Sequence, residues 1–223
     1  MGMVRRFSDR AAAGHALAPR LADITEGKRV VLGLPRGGLV TAAPVAAHLG
    51  GTLAVAWVRR LIAPQEPDVA IGAVDIDGDV TLNPAAAGAE GLSETFVAEL
   101  ATRARTRLRQ AWARTPGPDP ATRLAGVTAI VIDDGLTTGL SLIAALRWVR
   151  RQLPARVVVA VPVVDARIWA HVSEQADAAL ALDVRDDGPI ARSEVYDDFH
   201  RVLDAEMVAV LAAQPGAALP ASV

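Results

Sequence analysis

Ile130-Val131-Ile132-Asp133-Asp134-Gly135-Leu136-Thr137-Thr138-Gly139-Leu140-Ser141 decides how this chain is read. The stretch opens as a short β-branched apolar run, which predicts a buried strand. Two acids end the strand, and a loop of Gly and Thr follows. From Leu140 to Val149 apolar residues recur at helical spacing, so a helix begins where the loop ends. Successive backbone N–H groups in such a loop form a concave anion nest. The first helical turn adds unpaired N–H groups and a positive dipole end. Thr137, Thr138 and Ser141 bring hydroxyl donors. Asp133 and Asp134 stand at the rim, where carboxylates accept hydrogen bonds from sugar hydroxyls or hold water around Mg²⁺. A phosphate nest beside an acid pair describes a site for a sugar phosphate.

Competing motifs do not fit. A Walker A loop needs a Lys before its Ser or Thr, and Leu140 precedes Ser141. There is no G-x-G-x-x-G after a strand and no G-x-S-x-G elbow. A plain strand–loop–helix turn with Asp as a helix cap explains one acid and not the whole string.

The stretch from Val131 to Ser141 resembles the phosphoribosyl-diphosphate (PRPP) signature of type I phosphoribosyltransferases: apolar residues, two acids, and a loop ending T-G-x-[ST]. The resemblance implies that Asp133 and Asp134 hold ribose, directly or with Mg²⁺ through water. It implies that Gly135, Leu136, Thr137, Thr138, Gly139, Leu140 and Ser141 surround the 5′-phosphate. Arg5-Arg6-Phe7-Ser8-Asp9-Arg10 also resembles the start of a less characterised bacterial branch of that family.

A second strand–loop–helix lies about 100 residues earlier in the sequence. Val30 to Pro35 reads as a buried strand running into Arg36-Gly37-Gly38, with a helix to about Leu49. The two glycines let backbone approach a ligand closely. Arg36 offers an always-charged planar fork for phosphate oxygens. By itself R-G-G also reads as a simple turn. The resemblance implies a pyrophosphate loop here, with a non-proline cis peptide. Thr52 to Val58 is expected as one strand, followed by Arg59 and Arg60. A basic pair at a strand end also reads as a solvated face. The resemblance places Arg59 and Arg60 on pyrophosphate, with Arg60 in place of the branch's usual Lys and a flexible loop beyond it.

The rest of the chain fills in an α/β fold, a parallel sheet with helices on both faces. Phe7 to Ile24 predicts a helix capped by Ser8, in which His15 is a surface or packing residue. Ala70 to Val74 and Val80 to Asn83 predict a β-hairpin. A long helix, capped by Ser93, runs to about Arg114, and its many arginines read as a solvated face. Arg156 to Val164 is a β-run broken at Pro162, followed by a short helix at Ile168 to Gln175 and a strand at Ala178 to Leu182. Val184 to Val202 is polar and acidic. Its possible roles are to cover an acceptor, pack a dimer partner or cover the sheet edge, with His200 as a candidate base. A closing helix spans Leu203 to Ala213. The expected organisation is one domain over 1–223, with a core at about 28–183, a β-hairpin and long-helix insertion, and a small C-terminal cap and tail from 184.

Composition narrows the function. The chain has 223 residues, a net charge of −2 and no cysteine. It has no global attraction for nucleic acid or acidic membranes. Thiol nucleophiles and Cys-ligated metals are excluded. No apolar run approaches the roughly 20 residues needed to span a bilayer. Met1 to Arg10 lacks a signal peptide's apolar core, so a cytoplasmic protein is expected.

The resemblance implies an enzyme that moves a phosphoribosyl group from PRPP to a nitrogen acceptor, a nucleobase, in nucleotide salvage. It would use Mg²⁺, release pyrophosphate, and work as a homodimer without nucleic acid or membrane partners. Catalysis would rest on Asp133, Asp134 and Arg36. In the 6-oxopurine members the position of Thr137 is Asp, which contacts the purine. Thr cannot do so in the same way, which counts against hypoxanthine or guanine, although R-G-G is a purine-type spelling. Two other readings stay open. One is a non-catalytic PRPP- or nucleotide-binding regulator of the same fold; the other is a hydrolase of a phosphoribosyl compound.

Overall fold

The computed structural model describes residues 6–64, 66, 69–115, 124–135, 138–186, 190 and 192–214. Its centre is a five-stranded sheet made of β1 (Arg29–Gly33), β2 (Thr52–Val55), β6 (Thr128–Ile132), β7 (Arg156–Asp165) and β8 (Ala178–Arg185). The spatial order is β2-β1-β6-β7-β8 and every pairing is parallel. Parallel strands are covered on both faces, so their sequences run continuously apolar rather than alternating. β6, Thr-Ala-Ile-Val-Ile, is buried along its whole length. Each fully buried Val, Leu or Ile in this core contributes roughly 1.5–3 kcal/mol.

Helices flank the sheet: α1 (Arg10–Ala22), α2 (Gly37–Leu49), α5 (Leu140–Arg151), α6 (Ala166–Ser173) and α7 (Asp204–Ala212). Leu17 and Leu21 of α1, Leu39 and Val45 of α2, and Leu142, Leu146 and Trp148 of α5 enter the main core. α1 is capped by Asp9, whose side chain accepts from Ala12 N–H at 2.7 Å, and not by Ser8 as expected. His15 is exposed on α1. Among the described residues no helix is long and apolar enough to cross a membrane.

Three expectations need correction. Thr52 to Val58 is not one strand. β2 ends at Val55, and the chain crosses at Ala56–Trp57 into β3 (Val58–Ile62), which belongs to another sheet. Ala56 and Trp57 are buried, so the apolar run continues through the junction and hides it from a pattern reading. The hairpin of β4 (Ala70–Asp75) and β5 (Val80–Leu82) thereby gains β3 as a third antiparallel strand. Leu61 and Ile62, placed in a flexible loop by the sequence, are part of β3. Gln65, Pro67 and Asp68 of that loop lie outside the described residues. β7 runs unbroken through Pro162, because its ladder with β6 ends at Ala160 and a missing N–H there costs no bond to β6.

The small sheet carries α3 (Pro84–Ala89), a short helix not expected from the sequence, and α4 (Glu94–Ala113), capped by Ser93 as expected. Leu61, Ile71, Val74, Ala101 and Ala104 form its separate core. Arg151, at the end of α5, fastens this insertion to the main sheet. It binds buried Asp75 at 2.5 Å and Asp79 at 3.1 Å. Asp75 in turn accepts the N–H groups of Asp77, Gly78 and Asp79 and holds the β4–β5 turn.

Candidate active site

The main sheet has one topological switch point. From β1 the chain winds outward to β2; from β6 it winds the other way through β7 to β8. β1 and β6 are neighbours, so the loops leaving their carboxyl ends diverge and leave a crevice, the usual ligand position in such sheets. One loop is 34–36 and the other is 133–139, the two stretches singled out in the sequence.

β6 ends at Ile132, paired with Gly33 on one side and Ala160 on the other. Adjacent strand residues point to opposite faces. Asp133 and Asp134 lie past the last paired residue, so both reach the cavity. They are held differently. Asp133 is half-buried, and its Oδ1 accepts from Asp134 N–H at 2.9 Å. Asp134 is 8% exposed; its Oδ2 accepts from Arg10 Nε at 2.7 Å. The Tyr196 hydroxyl donates to the Asp134 carbonyl at 2.7 Å.

The loop after β1 packs directly on the acids. Leu34 N–H donates to the Ile132 carbonyl at 3.0 Å, and the Pro35–Arg36 peptide is cis. A Cβ on Gly37 would fall inside the Asp134 carboxylate. Glycine at 37 therefore serves the approach of one loop to the other. Gly38 is buried behind the wall, against the Ile132 carbonyl. Arg36 caps α2 by position without a side-chain cap bond; its Nε donates to Asp204 Oδ1 at 2.9 Å.

The other loop delivers Gly139, left-handed at φ 70°, as the N-cap of α5. Gly135, exposed Thr138, Gly139 and Ser141 line the cavity, while Leu140 is buried in the first turn of α5. Leu136 and Thr137 lie outside the described residues.

These elements enclose a cavity of about 760 Å³. Arg36, Arg59 and Arg60 line it, as do Arg10, Arg107, Arg114 and Arg201, which the sequence had not marked as site residues. The reading of α4's arginines as a solvated face holds for Arg103, paired with Glu99, and for exposed Arg107 and Arg114, which in addition line the cavity. Packing of α4 on the small sheet brings its end to the cavity. Partial desolvation by the surrounding protein first, then the charges of Arg107 and Arg36, push exposed Arg59 below the usual guanidinium range, while Asp204 opposes the shift. These arginines outnumber the acids lining the cavity, Asp133, Asp134 and Asp204, an arrangement suited to a polyanion.

The C-terminal segment closes the site. Phe7 and Tyr196 bridge the two ends of the chain, and Phe7, Tyr196 and Phe199 form an aromatic row. Arg10 lies 3.7 Å above the Phe199 ring centroid, and its Nη1 donates to the His200 carbonyl at 2.9 Å. Of the roles left open for 184–202, its aromatics thus pack on α1 and the acid loop. His200, a candidate base, sits between carboxylates: Nδ1 is 3.0 Å from Asp198 and Nε2 is 3.2 Å from Glu206. Hydrogen bonds that its ring donates to Asp198 and then to Glu206 raise its pKa.

An all-parallel α/β sheet with an acid pair and the glycine-capped start of a helix at its switch point is the plan of a phosphoribosyl transferase domain. The sequence model of that domain matches residues 9–184, and the chain belongs to this family. Two Mycobacterium tuberculosis proteins, named "Putative phosphoribosyl transferase MT0597" (strain Oshkosh) and "Putative phosphoribosyl transferase Rv0571c" (strain H37Rv), are each 35% identical over 219 residues. The match covers 93% of this chain and 47% of each relative, so the chain spans about half the length of these curated relatives. The crystal structure of TT1426 from Thermus thermophilus superposes with a TM-score of 0.76 at 39% identity, over 92% of this chain and 97% of that one.

Proposed function

We propose that the cavity binds PRPP and that the protein transfers its phosphoribosyl group to a nitrogen acceptor. One observation carries this reading: the two strand-end loops and both acids, separated in sequence, line a single cavity crowded with arginines. The turn into α5, with Thr138 and Ser141, takes the 5′-phosphate. Arg36, the backbone at Gly37 and Gly38, Arg59 and Arg60 take the pyrophosphate. Asp133 and Asp134 take the ribose hydroxyls.

In the reaction the acceptor nitrogen's lone pair forms a bond to the anomeric carbon. The bond from that carbon to the diphosphate oxygen breaks, and pyrophosphate leaves with the electron pair. Where the acceptor nitrogen carries a proton, that proton passes to water. Positive charge grows on the ribose and negative charge on the leaving group. The acids stand near the first and the arginines near the second, an arrangement made before reaction begins. Arg10 fixes the Asp134 carboxylate, so one of its oxygens is committed to structure.

Mg²⁺ fits as an ion brought largely by the substrate. Among the described residues no group of three or more side chains could hold a metal, and Asp134 already binds Arg10. Mg²⁺ commonly uses one or two carboxylates, waters and substrate phosphate oxygens. Asp133 would be the carboxylate here, and the ion would neutralise charge on the departing diphosphate.

The test is pyrophosphate release from PRPP and Mg²⁺ across a panel of nitrogen bases. Release that depends on an acceptor supports the transferase. PRPP binding without release for any base would favour the regulator, and release without an acceptor would favour the hydrolase.

A further inference from the structure

Arg107, Gln110 and Arg114 follow one another at three and four residues along the end of α4, so they share one side of the helix. That side lines the cavity, and Arg201 of the C-terminal segment lines it too. The diphosphate and the 5′-phosphate of the substrate reading are met by the loop after β1, by Arg59 and Arg60, and by the start of α5. Arg107, Arg114 and Arg201 remain. Arg10, Arg36, Arg103, Arg150 and Arg151 each hold a carboxylate. Among the described residues none of the remaining three does. Arg107 instead lies near enough to Arg59 for its charge to disfavour that guanidinium's charged form. Like charges held together without partners are relieved by an anion and gain nothing from a neutral base.

The aromatic side chains point the same way. A flat neutral base is commonly recognised by stacking on a ring. Of the chain's aromatics, Trp57 and Phe199 line the cavity. Trp57 is 3% exposed and has no face to offer. Phe199 already carries Arg10 over its ring and stacks with Tyr196 at 5.1 Å.

Resting on the PRPP reading above, we propose that Arg107, Arg114 and Arg201, which line the same cavity, supply the acceptor subsite, and that the acceptor is a nitrogen heterocycle bearing a carboxylate. A carboxylate is the smallest anion that spans guanidinium forks with paired hydrogen bonds. An acceptor bearing phosphate would bring a fourth phosphoryl group into a cavity that already takes three.

Matched pairs differing by this group test the proposal: orotate against uracil, and nicotinate against nicotinamide. Calorimetry is run on the full chain with inorganic pyrophosphate and Mg²⁺ present, so that the leaving-group end is filled. In at least one pair the carboxylate should bind about tenfold tighter or more. The preference should shrink to about twofold or less in Arg107→Gln/Arg114→Gln, or in Arg201→Gln if the double variant does not fold. Circular dichroism checks folding. No measurable carboxylate binding, equal binding within both pairs, or a preference that survives in the folded variants would each overturn the subsite. PRPP is titrated separately. A protein that prefers the carboxylates yet does not bind PRPP would retain the subsite and lose the sugar-diphosphate reading.

Discussion

The acid side of the cavity is dry and tied down, whereas the arginine side is wet and largely unpaired. Asp134 is buried between Arg10, the Tyr196 hydroxyl and Gly37. Arg10, only 6% exposed, is itself held by Asp134, His200 and Phe199. Arg59, Arg60, Arg107, Arg114 and Arg201, which also line the cavity, are exposed. A buried pair is screened little by salt, while exposed charges are screened within a Debye length of about 10 Å at 0.1 M. The ribose end is thus preorganised by the protein, and the anion end is completed by what binds. The two sides should respond differently to mutation, salt and pH.

The largest effect is expected on the dry side. Arg10→Ala leaves the Asp134 carboxylate buried without its cation, which should cost about 3–5 kcal/mol of stability in urea unfolding. Arg10→Lys keeps the charge but not the fork and should fall between. A loss under about 1 kcal/mol for Arg10→Ala, the size expected of a surface pair, would show that the two sides are alike after all.

At the phosphate nest, Thr138→Val removes a hydroxyl from a charged ligand. It should weaken PRPP binding by about 1–3 kcal/mol with little change in stability. Unchanged affinity by calorimetry would remove Thr138 from the site.

On the wet side the signs should separate. Arg59→Gln should lower pyrophosphate affinity by about tenfold, because a charge-assisted bond is lost. Stability without ligand should stay level or rise by up to about 0.5 kcal/mol at low salt, because repulsion from Arg107 and Arg36 is relieved. A clear loss of stability instead would mean that Arg59 is held structurally, like Arg10.

The smallest effect concerns pH. The carboxylates of Asp198 and Glu206 hold the pKa of His200 above the ordinary imidazole value in the folded chain. Its contribution to stability is full below the unfolded pKa and is lost as pH rises through the folded one. Melting curves from about pH 6 upward should therefore show a small decline that His200→Gln lacks. Identical slopes would assign the decline elsewhere.

Local signals carried much of the site into the sequence. Each strand–loop–helix is contiguous, so β-branched residues, Gly, Thr and the acids announce both loops before any tertiary contact is known. Arg10 was not legible as a site residue. It stands 124 residues from Asp134 and opens an ordinary helix; only the resemblance of Arg5 to Arg10 to a family branch singled it out. Arg107 and Arg114 were illegible for another reason. Which face of α4 meets the cavity depends on β3 leaving the main sheet, and the apolar run across Ala56–Trp57 conceals that departure. Pro162 shows the same limit: whether a proline breaks a strand depends on which neighbour its missing N–H would have served.

The acid pair is the centre of the account, and the structure changes which acid tests it best. Asp134→Asn would also leave Arg10 buried without its carboxylate, so a loss of activity would mix fold with chemistry. Asp133→Asn keeps an oxygen that can accept from Asp134 N–H and does not touch the Arg10 pair. The decisive measurement is the steady-state rate of pyrophosphate release from PRPP and Mg²⁺ with an active acceptor, for wild type and Asp133→Asn side by side. The account predicts acceptor-dependent release by wild type and a fall of about 100-fold or more in the variant, at unchanged melting temperature. A folded Asp133→Asn protein releasing pyrophosphate at the wild-type rate would contradict it.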